Sequence, residues 1–169
     1  MSGLKQYPEA YTQFLYHFHR TRDFFECHEL LEAYWKDHPD SPHKGDWHGL
    51  IQVAVGLYHE RRGNRRGAVK MLESAVQRLK SGHIERLGIA REPFLSALDN
   101  RVAQLRGTEA KRYEDINIPI TDVDLVGFVN PPLDSTEAGE DIIHKHVRRD
   151  RTDVIAARHS EWIKRRSNR

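Results

Sequence analysis

Apolar residues recur at helical spacing through most of the chain, and polar residues fill the positions between them. The spacing predicts helices over about Pro8–His19, Phe24–Trp35, Gly49–His59, Arg65–Lys80 and Pro93–Arg106. The third segment is apolar almost all round, as is typical of a central helix. The predicted fold class is therefore all-α, a compact helical bundle of about five core helices.

Residues that commonly begin and end helices support these boundaries. Asp23 is an N-cap candidate for the helix that starts at Phe24. Gly63 can take the left-handed conformation that ends the central helix, and Asn64 can cap the next one. Gly107 follows the last core helix. The helices should therefore be joined by short, defined turns.

The pattern changes after residue 110. From Tyr113 to Pro132, Ile, Val, Leu and Phe alternate with Asp, Asn and three prolines, which excludes a regular helix over that length. We expect an extended apolar strap on the helical core, with or without a short strand. From Glu137 onward the pattern becomes helical and basic. The predicted organisation is a core domain over 1–110, with 111–169 forming the strap and a C-terminal basic helix packed on that core.

Composition places the chain among soluble globular proteins. Its 169 residues are 38% hydrophobic and 31% charged, which fits one domain with a real core. Cys27 is the only cysteine, so an intramolecular disulfide is excluded, as is common in a reducing compartment. There is no apolar signal segment and no run long enough for a membrane span. We expect a cytoplasmic protein that does not enter a membrane.

Charge is distributed unevenly. Residues 144–169 contain nine Lys or Arg and three acidic residues, a net charge of +6. A basic end of this kind can bind the phosphates of nucleic acid, and it can equally be the solvated face of a docked helix. Nucleic acid, a protein partner and a second copy of the chain are therefore all open as partners.

Several polar residues fall on helix faces that are otherwise apolar. On the second helix these are His28 and Glu32, and on the third they are His48, Gln52 and His59. Glycines recur at heptad spacing beside the polar residues of the third helix, at positions 49, 56 and 63. Because glycine lowers helix stability by roughly 1 kcal/mol relative to alanine, this repetition indicates a close approach of another backbone.

A chain reversal at Pro39–Lys44 would place the second and third helices side by side and antiparallel. Residues whose numbers sum to about 87 would then be neighbours. This register pairs His28 with His59, Glu32 with Val55, and Trp35 with Gln52. Two imidazoles and one carboxylate would converge within about one helical turn.

Three stretches of the chain together form a motif. They are Phe24-Phe25-Glu26-x-His28-Glu29-x-Leu31-Glu32-x-x-Trp35, Gly49-Leu50-Ile51-Gln52-x-Ala54-x-x-x-Tyr58-His59 and Gly63-Asn64-x-x-Gly67-Ala68. This motif resembles domain-of-unknown-function family 309. The resemblance covers roughly residues 10–80. It implies an all-α fold and brings no established activity with it.

Three interpretations of the polar residues remain open. They can form a satisfied network that fixes helix packing, in a protein with a structural or interaction role. They can bind a divalent metal or small ligand, in a hydrolase-like enzyme, with His28, Glu32 and His59 as metal ligands. They can perform metal-free acid–base catalysis through His28 or His59. The candidate ligand-binding residues are His28, Glu29, Glu32, Trp35, His48, Gln52 and His59.

Overall fold

The structure is a computed structural model that describes residues 3–109 and 111–129. After a 3₁₀ turn at Gly3–Gln6, the helices are α1 (Glu9–Tyr16), α2 (Phe24–Asp37), α3 (Lys44–Arg61), α4 (Arg65–Lys80), α5 (Arg91–Arg106) and α6 (Val123–Val129), with a further 3₁₀ turn at Ile84–Leu87. These residues form no β-strand, and the all-α prediction is confirmed. The basic helix expected after Glu137 lies outside the described residues.

Helix α3 is the centre of the bundle. It packs against α2 on one side and α4 on the other. The unbroken run of residues 49–54 covers more than one full helical turn, and all six of its residues are buried. The predicted central position of this helix is confirmed.

Two glycines set the spacing between α3 and α4. A Cβ atom on Gly49 would lie 2.8 Å from the side chain of Leu79, and one on Gly56 would lie 2.8 Å from that of Leu72. Both leucines are fully buried, so neither has space into which to move. The predicted close approach of another backbone is confirmed at Gly56, where Leu72 N would lie 3.4 Å from the Cβ atom. At Gly49 the close contacts are with side chains, and at Gly63 no atom lies within 4 Å.

The helix ends use the capping residues expected from the sequence. Asp23 Oδ1 accepts a hydrogen bond from the backbone N–H of Glu26 at 3.0 Å, and Asn64 Oδ1 accepts one from Gly67 at 3.0 Å. Gly63 has φ +86°, the left-handed conformation that ends α3. The α3–α4 turn is therefore fixed by two adjacent residues.

Helix α1 is shorter than its apolar pattern predicts. It gives way to a π-helical turn at His17–Thr21, after which Arg22 takes a left-handed conformation with φ +56°. His19 is buried in this turn, where its Nδ1 lies 2.9 Å from Leu15 O and its Nε2 accepts a hydrogen bond from Ile118 N–H at 2.9 Å. This pairing makes Nδ1 the protonated nitrogen and attaches the strap to the first helix.

The strap is extended over residues 111–122, as predicted, and its Ile116 and Ile118 side chains are buried in the core. A single antiparallel bridge joins Ile120 to Ile89. The strap shares one hydrophobic core with the five preceding helices. The division into two units at residue 110 stays a prediction.

The expectation of a wholly non-helical segment up to Pro132 is wrong, because residues 123–129 form α6. The prolines at 119, 131 and 132 all lie outside those seven residues, so nothing blocks a helix between them. Asp122 begins it by accepting a hydrogen bond from Asp124 N–H at 2.9 Å. Over the described part of the chain, no helix combines the length and apolar character of a bilayer span.

Candidate functional site

His28, Glu32 and Lys36 form an ion network along α2. His28 Nε2 lies 2.6 Å from Glu32 Oε2, and Lys36 Nζ lies 2.8 Å from Glu32 Oε1. Glu29 is more distant, with 3.7 Å between its Oε1 and His28 Nδ1. The side chains of His28 and Glu32 are 27% and 20% exposed. The predicted His28–Glu32 contact therefore exists, but it lies at the rim of the α2–α3 interface.

The contact with His28 determines the ionisation of Glu32. The hydrogen bond from His28 is the main reason that the pKa of Glu32 is lowered to about 2. Partial burial opposes this shift, and the hydrogen bond from Lys36 adds to it. Glu32 is an anion at every physiological pH. Its negative charge also acts to raise the pKa of His48 on the neighbouring helix.

Gln52 is a buried, fully engaged amide between α3 and α4. Its Nε2 donates to Ser74 Oγ at 2.9 Å, and its Oε1 accepts from Arg78 Nε at 3.1 Å. The predicted pairing of Gln52 with the Trp35 indole is wrong. The amide instead holds the two central helices together, which is the structural role proposed for the network as a whole.

Trp35 packs on His48, with ring centroids 4.5 Å apart and an interplanar angle of 37°. The indole Nε1 of Trp35 is buried and has no hydrogen-bond partner among the described residues. Burial, and secondarily the positive charge of Arg78, lower the pKa of His48, whereas Glu32 acts in the opposite direction. His48 is therefore a neutral imidazole at pH 7 beside an unpaired N–H donor.

His59 lies elsewhere, near the C-terminal end of α3. Its Nδ1 is 3.3 Å from Asn64 Nδ2, which donates to it. Burial and the charge of Arg62 lower the pKa of His59. Its contacts are thus with the α3–α4 turn.

The α2–α3 register explains why His28 and His59 are not paired. Observed ring contacts join Trp35 to His48 and Phe25 to Tyr58, pairs whose numbers sum to 83. The predicted sum of about 87 is wrong: the ends of the predicted turn, Pro39 and Lys44, themselves sum to 83, and α3 already begins at Lys44. The error is four residues, or about one helical turn.

The described residues contain no group of three or more His, Cys, Asp or Glu side chains arranged to hold a metal ion. His28 and Glu32 are in contact, while the third predicted ligand, His59, contacts Asn64 instead. Metal binding by this set stays a prediction.

Sequence reasoning missed Ser74 and Arg78 of α4. The turn at Gly63–Asn64 was a usable signal for them, because reflecting the chain about that turn places Gln52 within one residue of Ser74. A series of side chains linked by contacts or by charge, which we call the polar strip, crosses three helices. They are His28, Glu32 and Trp35 of α2, His48 and Gln52 of α3, and Ser74 and Arg78 of α4.

The depressed pKa of Glu32 gives a testable pH dependence. A carboxyl whose pKa is lower in the folded protein stabilises the fold above its unfolded pKa of about 4.5, and that stability is lost as pH falls towards 2. We expect Glu32→Gln to reduce the unfolding free energy by about 1–3 kcal/mol at pH 7. The difference from the unmodified protein should shrink steadily between about pH 4.5 and 2. Urea titrations across this pH range measure it.

Glu29→Gln is the matched control for that measurement. Its carboxylate is on the same helix and faces the same histidine, but at 3.7 Å. Glu29→Gln should reduce the unfolding free energy at pH 7 by less than Glu32→Gln does, and by less than about 1 kcal/mol. Equal losses for the two variants would show that the Glu32 network is not the source of the acid sensitivity.

Two comparisons with known proteins give matches. A family model described as a domain of unknown function (DUF309) matches residues 11–71. The chain is also 37% identical over 174 residues to a protein of Bacillus subtilis (strain 168) named "Uncharacterized protein YpuF", an alignment that covers 96% of this chain and 99% of that protein. No solved structure matches the chain. The family match spans α1 to α3 and the first part of α4, so it includes most of the polar strip.

Proposed function

The chain belongs to the DUF309 family, and we propose that it is a binding protein whose polar strip takes up a small molecule carrying a neutral carbonyl or amide oxygen. The observation that carries this proposal is the buried Trp35 Nε1, which has no acceptor among the described residues. The proposal assigns no reaction to the site.

An unpaired buried donor is unfavourable for folding. Leaving an N–H group without an acceptor in the interior costs about 1–3 kcal/mol. The neighbouring amide of Gln52 is satisfied on both its nitrogen and its oxygen. The indole of Trp47, the other described tryptophan, donates to Ser41 Oγ at 3.2 Å. Trp35 is therefore the exception in the polar strip, and a buried unsatisfied donor requires an explanation, such as a bound molecule that supplies the acceptor.

The surroundings of Trp35 favour a neutral acceptor. Glu32 is an anion in the same strip, so a ligand carboxylate would meet a like charge as well as Arg78. The neutral His48 ring supplies one further donor and one acceptor at most. Its face and that of Trp35 provide a flat apolar contact. A planar amide or ketone fits these groups best.

The strip also has a structural part, for which the evidence is the Gln52 amide. The contacts from Gln52 to Ser74 and Arg78 join α3 to α4 and give both of its polar atoms a partner within the protein. We therefore propose that Gln52 maintains helix packing. Trp35 and His48 contact the ligand.

Trp35→Phe tests the proposed function. Phenylalanine keeps an aromatic ring against His48 and removes the N–H donor. We expect the unfolding free energy to stay within about 1 kcal/mol of the original, because the lost ring area is offset by removal of an unpaired donor. Binding of a carbonyl ligand should weaken at least about tenfold, equivalent to about 1.4 kcal/mol.

The measurement is a ¹⁵N–¹H NMR titration of the indole resonances with acetamide and N-methylacetamide. The Trp35 signal, identified by its absence in Trp35→Phe, should move saturably, while that of Trp47 should stay in place as an internal control. If the Trp35 signal does not respond to either amide, or if the Trp35 and Trp47 signals move together, the proposed function is wrong.

A further inference from the structure

A second unsatisfied group lies away from the polar strip, at the C-terminal end of α3. Arg61 Nη1 donates to the backbone carbonyl of Arg22 at 2.8 Å. Its guanidinium also lies over the ring of Phe24, 4.5 Å from the centroid. The side chain is thereby held in one position by the start of α2 and the left-handed residue before it.

The remaining edge of the guanidinium has no partner. Arg61 Nε and Nη2 are buried atoms without a hydrogen-bond partner among the described residues, and no carboxylate there lies within ion-pair distance of Arg61. These two nitrogens present their N–H groups in parallel, and this edge binds both oxygens of a carboxylate in bidentate pairs. The structure thus holds a preorganised two-donor edge that pairs with none of the described residues.

A buried carboxylate lies near Arg61. Tyr113 OH donates to Asp115 Oδ1 at 2.8 Å, whereas Asp115 Oδ2 accepts no hydrogen bond from the described residues and is ion-paired with Arg22 Nε at 3.4 Å. Arg22 therefore contacts both groups, through its carbonyl to Arg61 and through its side chain to Asp115. Asp115 is also close enough for its charge to act on Arg61.

We infer that Arg61 Nε and Nη2 bind a small carboxylate, and that a hydroxyl or ammonium group of the same molecule donates to Asp115 Oδ2. The site is independent of the polar strip and of the function proposed for it. A monoanionic carboxylate suits the site better than a phosphate dianion, because Asp115 and Asp23 both place negative charge near Arg61.

A purely structural role for Arg61 does not explain why its charge is buried without an ion pair among the described residues. Burial lowers the pKa of Arg61, which shows that the surroundings disfavour its charge, and no ion pair within the described residues compensates for that cost. A bound carboxylate would supply the missing ion pair. Since the two nitrogens have almost no exposed surface, a ligand reaches them when the covering side chains move aside.

The test is an NMR titration of the full chain with lactate, acetate and inorganic phosphate at constant ionic strength. We expect the Arg61 Nε–H signal to move saturably with lactate, more weakly with acetate, which lacks the hydroxyl donor, and least with phosphate. At about ten times the Kd, lactate should raise Tm by roughly 3–6 °C. No saturable change, or tighter binding of phosphate than of lactate, would overturn the inference.

Arg61→Lys and Arg66→Lys are the matched variants. Lysine keeps the positive charge and loses the two-donor edge, so Arg61→Lys should abolish the lactate response. Arg66 is an exposed arginine in the first turn of α4, and its replacement should leave the response unchanged. If Arg61→Lys retains the full response, the anion acts through general charge and the inference is wrong. The titration of the unmodified protein decides the question even if Arg61→Lys does not fold.

Discussion

Replacing Arg22 with alanine is expected to destabilise the protein by about 3–5 kcal/mol, as measured by urea unfolding at pH 7. Arg22 is only 3% exposed, and its Nη1 donates to Ile116 O at 3.1 Å. Its Nη2 donates to Asn117 Oδ1 at 2.6 Å, and its Nε faces Asp115. Alanine removes all these contacts and leaves the strap without its main anchor and the Asp115 carboxylate without its ion-pair partner. The strap should loosen before the helices unfold.

Two further variants separate the side chain of Arg22 from its backbone. Arg22 has φ +56°, a conformation that costs a non-glycine residue about 1–2 kcal/mol. Arg22→Gly should therefore be about 1 kcal/mol more stable than Arg22→Ala although both lack the guanidinium. Arg20→Ala, two residues earlier and supported by a cation–π contact with Tyr16, should lose no more than about 1 kcal/mol. A comparable loss at Arg20 would mean that the π-helical turn, and not the strap anchor, is the sensitive feature.

The fold could be predicted from the sequence wherever a local signal marked both ends of an element. Helix α4 was predicted over its observed range because Gly63 and Asn64 define its start and its apolar face continues to Leu79. The α2–α3 register carried no such signal. Pro39 and Pro42 mark the turn at its observed place, but a turn of six residues leaves the pairing of the two helices open by about one helical turn. An error of one turn was enough to pair His28 with the wrong residue.

The candidate site was predictable in part for the same reason. His28 and Glu32 lie four residues apart on one helix, and their contact follows from helix geometry alone. The partners of Gln52 and Trp35 depend on how separate helices pack, and a pattern within one helix does not contain that information. The unpaired nitrogens of Arg61 are still harder to predict, because they are defined by the contacts that the rest of the fold does not make.

Gly82 is the position at which one added methyl group should have a very large effect. A Cβ atom there would overlap Asp46 Oδ1 and lie 2.7 Å from Asp46 Cγ. Asp46 is 2% exposed, accepts from His43 Nδ1 at 2.8 Å and receives the backbone N–H of His83 at 3.2 Å. Since the carboxylate cannot move without giving up these bonds, we expect Gly82→Ala to cost about 3–5 kcal/mol of unfolding free energy.

The cause of that loss can be isolated with a double-mutant cycle. In an Asp46→Ala background the clashing oxygen is gone, so adding Gly82→Ala should cost less than about 1 kcal/mol. Gly45→Ala, at the start of the same helix as Asp46, meets no atom within 4 Å and should stabilise the protein by about 0.5–1 kcal/mol through helix propensity. If Gly82→Ala costs as much unfolding free energy in the Asp46→Ala background as in the original protein, the cause is the backbone of the α4–α5 connection and not the clash with Asp46. A loss confined to proteins that retain Asp46 would show that this carboxylate, through its bonds to His43 and His83, fixes the start of α3 against the end of α4.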